Sequence, residues 1–151
     1  MAKSRDAGSG HGEQTDKISI VLVEDHTVLR AGMRSILGTQ ADFEVVGDVG
    51  SCAEGLELAR RVRPDLVISD IDLPDRTGLT LVPDLVDVDK NIRVIMLTSQ
   101  CTRELVQSAL DAGASGYVRK DARPSELFEG IRAVMRGERF LSANVLSITM
   151  L

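Results

Sequence analysis

One stretch of the sequence, residues 64–78, reads PDLVISDIDLPDRTG. Its apolar run at residues 66–68 has the length of a strand, and it ends abruptly in carboxylates and then in loop residues from Pro74 to Gly78. This pattern predicts that Asp70 lies at the mouth of a buried strand. Because a carboxylate is costly to desolvate, an acid in that place is expected to cap a helix, bind a metal or take part in chemistry.

The composition limits the class of protein. The chain has 151 residues, of which 43% are hydrophobic, enough for one domain with one core. A formal net charge of −5, with one Tyr and no Trp, argues against a nucleic-acid-binding surface. Cys52 and Cys101 lack metal-ligand spacing, which favours a reduced cytoplasmic protein over a disulfide scaffold. No apolar run approaches the roughly 20 residues that span a bilayer, so no membrane contact is expected.

Apolar runs of strand length alternate with segments of helical periodicity along the chain. Residues 1–17 are small, polar and charged, and they are expected to form a disordered tail. Five strands and five helices then follow within residues 18–137. This order predicts a single α/β domain with a doubly wound parallel sheet, whose strand carboxyl ends share one edge. The strands are expected at residues 18–23, 43–49, 66–70 and 92–97 and around residues 117–118.

Local signals mark where the helices begin. Ser51 and Glu54 have the spacing of a capping box at the start of the second helix. Pro83 removes an amide donor, so the third helix is expected to start late or to bend. Pro124 opens the fifth helix, and Arg123 before it is a weak cap.

Charged and polar side chains follow four of the five predicted strands. They are three carboxylates, a hydroxyl and an ammonium, from Glu24, Asp25, Asp70, Thr98 and Lys120. Clustered carboxylates repel each other, and hard oxygen ligands suit Mg²⁺ or Mn²⁺ better than zinc. A metal ion and a Lys together can neutralise a phosphoryl group, and a carboxylate can accept one. The chemistry therefore points to an aspartyl phosphate.

The sequence resembles the receiver domain of bacterial response regulators over about residues 18–137. The resemblance rests on VEDH at residues 23–26, PDLVISDIDLPDRTG at 64–78, MLTS at 96–99 and GYVRKD at 116–121. These pieces occur in order and at matching spacing. The His after the acid pair and GERFLS at residues 137–142 are similar to the NarL/FixJ subfamily. The resemblance implies the flavodoxin-like (βα)5 fold with strand order 2-1-3-4-5.

The resemblance implies a phosphoacceptor rather than an enzyme, with at most slow self-catalysed phosphorylation and dephosphorylation. Asp70 would accept a phosphoryl group from a phosphohistidine on a sensor histidine kinase. Mg²⁺ or Mn²⁺ would be held by Glu24, Asp25, Asp70 and the backbone carbonyl of Asp72. Asp72 also adds a charge at a position that affects phosphoryl lifetime in receivers.

The resemblance also implies a conformational switch. Lys120 would pair with one phosphoryl oxygen, and the Thr98 hydroxyl would move to bond another. Tyr117 corresponds to the switch aromatic, which turns inward as Thr98 moves. The face formed by the fourth helix, fifth strand and fifth helix would change shape, and it is a common homodimer surface in the family.

Residues 138–151 resemble the start of a linker to a helix-turn-helix DNA-binding domain. The chain is therefore expected to be the regulatory part of a transcription factor that reaches DNA only through that domain. A stand-alone receiver is the alternative.

Other functions remain open at this stage. Asp70 and Asp72 form the DxD pattern of haloacid-dehalogenase-like phosphatases, although those enzymes place it after their first strand. A receiver-like domain that is never phosphorylated would normally lack a site residue, and none is missing. Taken alone, Lys120 could be a solvated surface residue, Thr98 a local cap and Tyr117 ordinary core packing.

Overall fold

The computed structural model describes residues 16–149, which form a six-stranded parallel sheet with helices on both faces. The strand order is β2-β1-β3-β4-β5-β6. The predicted α/β fold and the order of the first five strands are confirmed, whereas the sixth strand was not predicted. Most of the tail predicted at residues 1–17 lies outside the described residues. The strands are β1 Ile18–Val23, β2 Phe43–Val49, β3 Leu66–Ser69, β4 Arg93–Thr98, β5 Gly116–Arg119 and β6 Phe140–Leu141.

Within residues 16–149, six α-helices cover the sheet. α1 and α5 supply buried residues to one face, while α2, α3, α4 and α6 supply them to the other. None of the described helices has the length and hydrophobicity of a membrane-spanning segment. The helices are α1 Thr27–Leu37, α2 Cys52–Val62, α3 Leu81–Val88, α4 Arg103–Ala112, α5 Pro124–Met135 and α6 Ala143–Thr149.

The central strands are buried on both sides, as their continuous apolar sequence requires. In β1, Ile20 and Leu22 belong to the core under α1 and α5, whereas Val21 and Val23 belong to the opposite core. This burial fixes the register of β1 between β2 and β3, because a shift of one residue would exchange its two faces. The strand ends are thereby held at one edge.

The helix starts follow the local signals. Ser51 Oγ accepts a hydrogen bond from the Glu54 amide at 3.1 Å, while Glu54 reaches back to the Gly50 amide at 3.1 Å. A 3₁₀ turn, Gly78–Thr80, precedes α3, so Pro83 falls in the first turn of that helix, where an amide needs no helical partner.

The second helix has a further cap that the sequence did not indicate. The Asp75 carboxylate, in the loop after β3, accepts hydrogen bonds from the amides of Cys52 at 3.0 Å and Ala53 at 2.9 Å. A carboxylate is favourable at a helix N-terminus. Asp75 therefore ties the loop after β3 to the start of α2. Arg123 makes no side-chain cap to α5, as expected.

Gly78 closes the same loop against the end of β3, and its substitution gives a direct test of the packing. A Cβ atom at Gly78 would lie 1.9 Å from the backbone oxygen of Asp70, which cannot rotate away. We expect Gly78→Ala to lower the free energy of unfolding by about 3 kcal/mol, at the upper end of overpacking effects. Urea denaturation measures this value.

Gly32→Ala is the matched control. Gly32 lies inside α1 with nothing within 4 Å of the added Cβ, so this change is expected to raise stability by up to about 1 kcal/mol. Equal stabilities for the two variants would contradict the close contact at Gly78.

Candidate functional site

A single ammonium group joins the ends of three strands. Lys120 directly follows β5, and its Nζ lies 2.8 Å from Asp70 Oδ2 and 2.8 Å from Glu24 Oε1. Asp70 follows β3 and Glu24 follows β1, and their side chains are only 4% and 3% exposed. Two buried carboxylates this close require a neutralising partner. Lys120 is that partner.

The charge of Lys120 is set by two opposing effects. Burial lowers the pKa of the Lys120 ammonium, but its hydrogen bonds with Asp70 and Glu24 outweigh burial and raise that pKa above its ordinary value. The group therefore stays protonated at neutral pH. A fixed positive charge facing Asp70 is suited to an anionic substrate group.

Backbone amides fix the orientation of the Asp70 side chain. Its Oδ1 accepts hydrogen bonds from the amides of Ile71 at 2.7 Å and Asp72 at 3.3 Å. Its own amide donates to the Val23 carbonyl of β1 at 3.0 Å. The carboxylate is thus held on the side of Oδ1 by amides and on the side of Oδ2 by Lys120. The orientation of this side chain is therefore fixed before any ligand binds.

An acidic cluster surrounds this ion pair. Potential ligand atoms of Glu24, Asp25, His26 and Asp70 all lie within 4.8 Å of one another. Asp25 is 37% exposed, whereas Glu24 and Asp70 are buried, so the cluster opens toward solvent on the Asp25 side. Its carboxylate oxygens are the ligands that Mg²⁺ and Mn²⁺ prefer. The donor set therefore fits a hard divalent cation.

His26 belongs to this cluster, although it was not among the predicted site residues. Its Nδ1 lies 2.8 Å from Glu24 Oε2 and 3.6 Å from Asp25 Oδ1. The hydrogen bond with Glu24 and the charge of Asp25 raise the pKa of the imidazole. The only sequence feature that could have indicated this contact is the position of His26 directly after Glu24 and Asp25.

Thr98 and Tyr117 are connected through one backbone segment. The Thr98 hydroxyl accepts a hydrogen bond from the Gln100 amide at 3.2 Å, and the Tyr117 hydroxyl donates to the Gln100 carbonyl at 2.7 Å. Both Thr98 and Tyr117 are fully buried. Burial also raises the pKa of the Tyr117 hydroxyl above its ordinary value. The Gln100 side chain further donates to the Asp72 carboxylate, a contact that sequence spacing did not indicate.

The predicted site residues occupy one edge of the sheet. Asp25 lies in the acidic cluster with Glu24 and Asp70, and the Lys120 amide donates to the Thr98 carbonyl at 3.0 Å. Asp72 reaches the site through its amide, while its carboxylate faces Gln100.

Comparison with known proteins shows consistent similarities. The model of the response regulator receiver domain family matches residues 20–132. The DNA-binding transcriptional activator DevR/DosR of Mycobacterium tuberculosis is 38% identical over 124 residues, which are 82% of this chain and 57% of that protein. The nitrate/nitrite response regulator protein homolog of Haemophilus influenzae is 32% identical over 135 residues, covering 89% and 65%. This chain thus spans less than two thirds of either relative.

A solved structure supports the same assignment. The crystal structure of a LuxR-family two-component response regulator from Aurantimonas sp. SI85-9A1 matches with a TM-score of 0.85 and 30% identity. The match covers 89% of this chain and 96% of that chain.

The energetic role of the central ion pair can be tested by removing its cation. Lys120→Met leaves two buried carboxylates without their counterion, and breaking a buried ion pair costs about 3–5 kcal/mol. We expect the free energy of unfolding in urea at neutral pH to fall by about 3 kcal/mol, at the lower end of that range. Lys90→Met, at an exposed position, should change it by less than about 0.5 kcal/mol. Similar values for both variants would contradict the role given to Lys120.

Proposed function

The chain belongs to the response regulator receiver domain family, and we propose that it accepts a phosphoryl group on Asp70 from a phosphohistidine of a sensor histidine kinase. The observation that carries this proposal is the buried Asp70 carboxylate, fixed by two amides and facing the Lys120 ammonium beside Glu24. The site has an acceptor, a positive charge for the incoming group, and an open acidic cluster.

The proposed transfer exchanges one bond for another at phosphorus. A carboxylate oxygen of Asp70 forms the new P–O bond, while the P–N bond of the phosphohistidine breaks and the imidazole leaves with its electron pair. Lys120 exchanges part of its contact with Asp70 for a phosphoryl oxygen. Because its charge is already in place, this stabilisation needs little reorganisation.

We assign the divalent cation to the acidic cluster. Glu24, Asp25, Asp70 and the backbone carbonyl of Asp72 would hold Mg²⁺ or Mn²⁺. The bound ion would neutralise charge on the transferring group. The chain's own residues provide the hard oxygen ligands and an opening to solvent beside Asp25.

Receiver domains are not enzymes in the ordinary sense, and self-catalysed phosphorylation or dephosphorylation would be slow. The family match over residues 20–132 supports a receiver over a phosphatase. The side chain of Asp72, the second acid of the DxD pattern, is hydrogen-bonded to Gln100. The structure therefore supplies no observation that favours Asp72 as a second catalytic acid.

The proposed switch uses Thr98 and Tyr117. The Thr98 hydroxyl would exchange its bond with the Gln100 amide for a phosphoryl oxygen. Tyr117 already occupies the buried position that the family resemblance associates with phosphorylation. A shift of the Gln100 segment would alter the hydrogen bond of Tyr117 and the adjoining start of α4.

The process that this receiver regulates is proposed from the names of its relatives. The M. tuberculosis relative is named a DNA-binding transcriptional activator, and this chain matches only 57% of it. We place this receiver in the same kind of protein, where a DNA-binding domain beyond the matched region would bind DNA. A homodimer would use the exposed part of the face formed by α4, β5 and α5.

Incubation with acetyl phosphate and Mg²⁺, followed by intact mass spectrometry, tests the acceptor. The wild type is expected to gain one phosphoryl group, and Asp70→Asn none, because the amide is a poor nucleophile. Asp72→Asn is the matched control and should still be phosphorylated, while EDTA should suppress the reaction.

Two outcomes would contradict this proposal. The wild type could remain unmodified, or Asp70→Asn could gain the phosphoryl group as readily as the wild type does. Rapid turnover of unrelated phosphomonoesters would instead support a phosphatase.

A further inference from the structure

The segment of residues 138–149 is part of the folded receiver. Its strand β6 pairs in parallel with β5, with Phe140 opposite Gly116 and Leu141 opposite Tyr117. The Phe140 amide donates to the Ser115 carbonyl at 3.0 Å, and the Ser142 amide to the Tyr117 carbonyl at 3.1 Å. The segment is therefore hydrogen-bonded to the backbone of the switch residue.

The receiver has a surface shaped for Phe140. A Cβ atom at Gly130 of α5 would lie 2.6 Å from the Phe140 ring, and one at Gly116 would lie 3.2 Å from the Phe140 carbonyl oxygen. A side chain at position 130 would overlap the Phe140 ring, and one at position 116 would press against the Phe140 carbonyl oxygen. This fit indicates a specific docking site for the segment.

Helix α6 is held by polar contacts at its start. Glu126 of α5 accepts a hydrogen bond from the Ala143 amide at 2.7 Å, which satisfies a donor at the helix N-terminus. Ser142 is fully buried, and its hydroxyl accepts from the Arg119 amide at 3.4 Å, next to Lys120 in the chain. These contacts tie α6 to both ends of the loop between β5 and α5.

An apolar contact connects α6 to the switch. Val145 is fully buried and belongs to the same core cluster as Tyr117 and Val106 of α4. Helix α6 packs against α4 and against β5, the strand that carries Tyr117. The apolar contact of Val145 and the hydrogen bond from the Ser142 amide therefore join this segment to the surroundings of the buried Tyr117.

We propose that residues 138–149 are an intramolecular ligand of the face formed by α4, β5 and α5, and that their docking and phosphorylation of Asp70 stabilise each other. This inference rests on the proposed function. The docked segment holds Tyr117 in its buried position, and Tyr117 reaches Thr98 through Gln100. Because coupling between two binding events is reciprocal, a phosphoryl group at Asp70 must tighten docking by the same factor. The segment would thus transmit the phosphorylation state of Asp70 to the DNA-binding domain proposed above.

Beryllofluoride with Mg²⁺, an analogue of the phosphoryl group, provides the test. Val145→Asp places a charge in the buried docking contact, whereas Leu146→Asp changes a neighbouring side chain that is 44% exposed. We expect Val145→Asp to weaken beryllofluoride binding about fivefold or more, within the usual range of allosteric coupling. Leu146→Asp should bind like the wild type. Isothermal titration calorimetry measures these affinities.

Hydrogen exchange in the wild type provides a readout that does not depend on the folding of a variant. Amides of residues 143–149 should become more protected when beryllofluoride and Mg²⁺ bind. Protection that is unchanged or reduced would overturn the coupling, as would equal affinities of the two variants. Protection of these amides that is present in the dimer but absent in the monomer at low protein concentration would assign the contact to a second copy and overturn the intramolecular docking. A wild type that binds no beryllofluoride would overturn the proposed function itself.

Discussion

The Lys120 ammonium between two buried carboxylates is the constraint on which the site depends. Asp70 and Glu24 are buried carboxylates, and the Lys120 ammonium lies 2.8 Å from each of them. That geometry requires β1, β3 and β5 to end at one level. The parallel register provides this alignment, with the Asp70 amide bonded to the Val23 carbonyl and the Lys120 amide to the Thr98 carbonyl.

The same edge of the sheet connects the site around Asp70 with the packing of the neighbouring helices. The Gln100 backbone accepts from Tyr117 and donates to Thr98, so two strand ends share one short segment. Beyond Tyr117, the strand β6 and helix α6 continue this connection to the last described residues. Under the proposed coupling, a change of one hydrogen bond at Thr98 would alter the packing of helix α6, because closely packed elements move between discrete arrangements.

Much of this arrangement could be predicted from the sequence, since buried parallel strands appear as continuous apolar runs and their ends align in one edge. Glu24, Asp25, Asp70 and Lys120 were predicted in this way to lie together, and the structure brings them together. The pairing of β6 was not predicted, because Phe140–Leu141 is too short to give a periodic signal and its docking depends on the space left at Gly116 and Gly130. The contacts of His26, Gln100 and Asp75 depend on side-chain positions that only the fold defines.

A crystal structure with Mg²⁺ and beryllofluoride would test the central claim most directly. We predict beryllofluoride bonded to a carboxylate oxygen of Asp70, with Lys120 Nζ and the Thr98 hydroxyl on its fluorides and the cation among the carboxylates of Glu24, Asp25 and Asp70. Beryllofluoride on another residue, or a Lys120 side chain that still contacts only Asp70 and Glu24, would contradict the account.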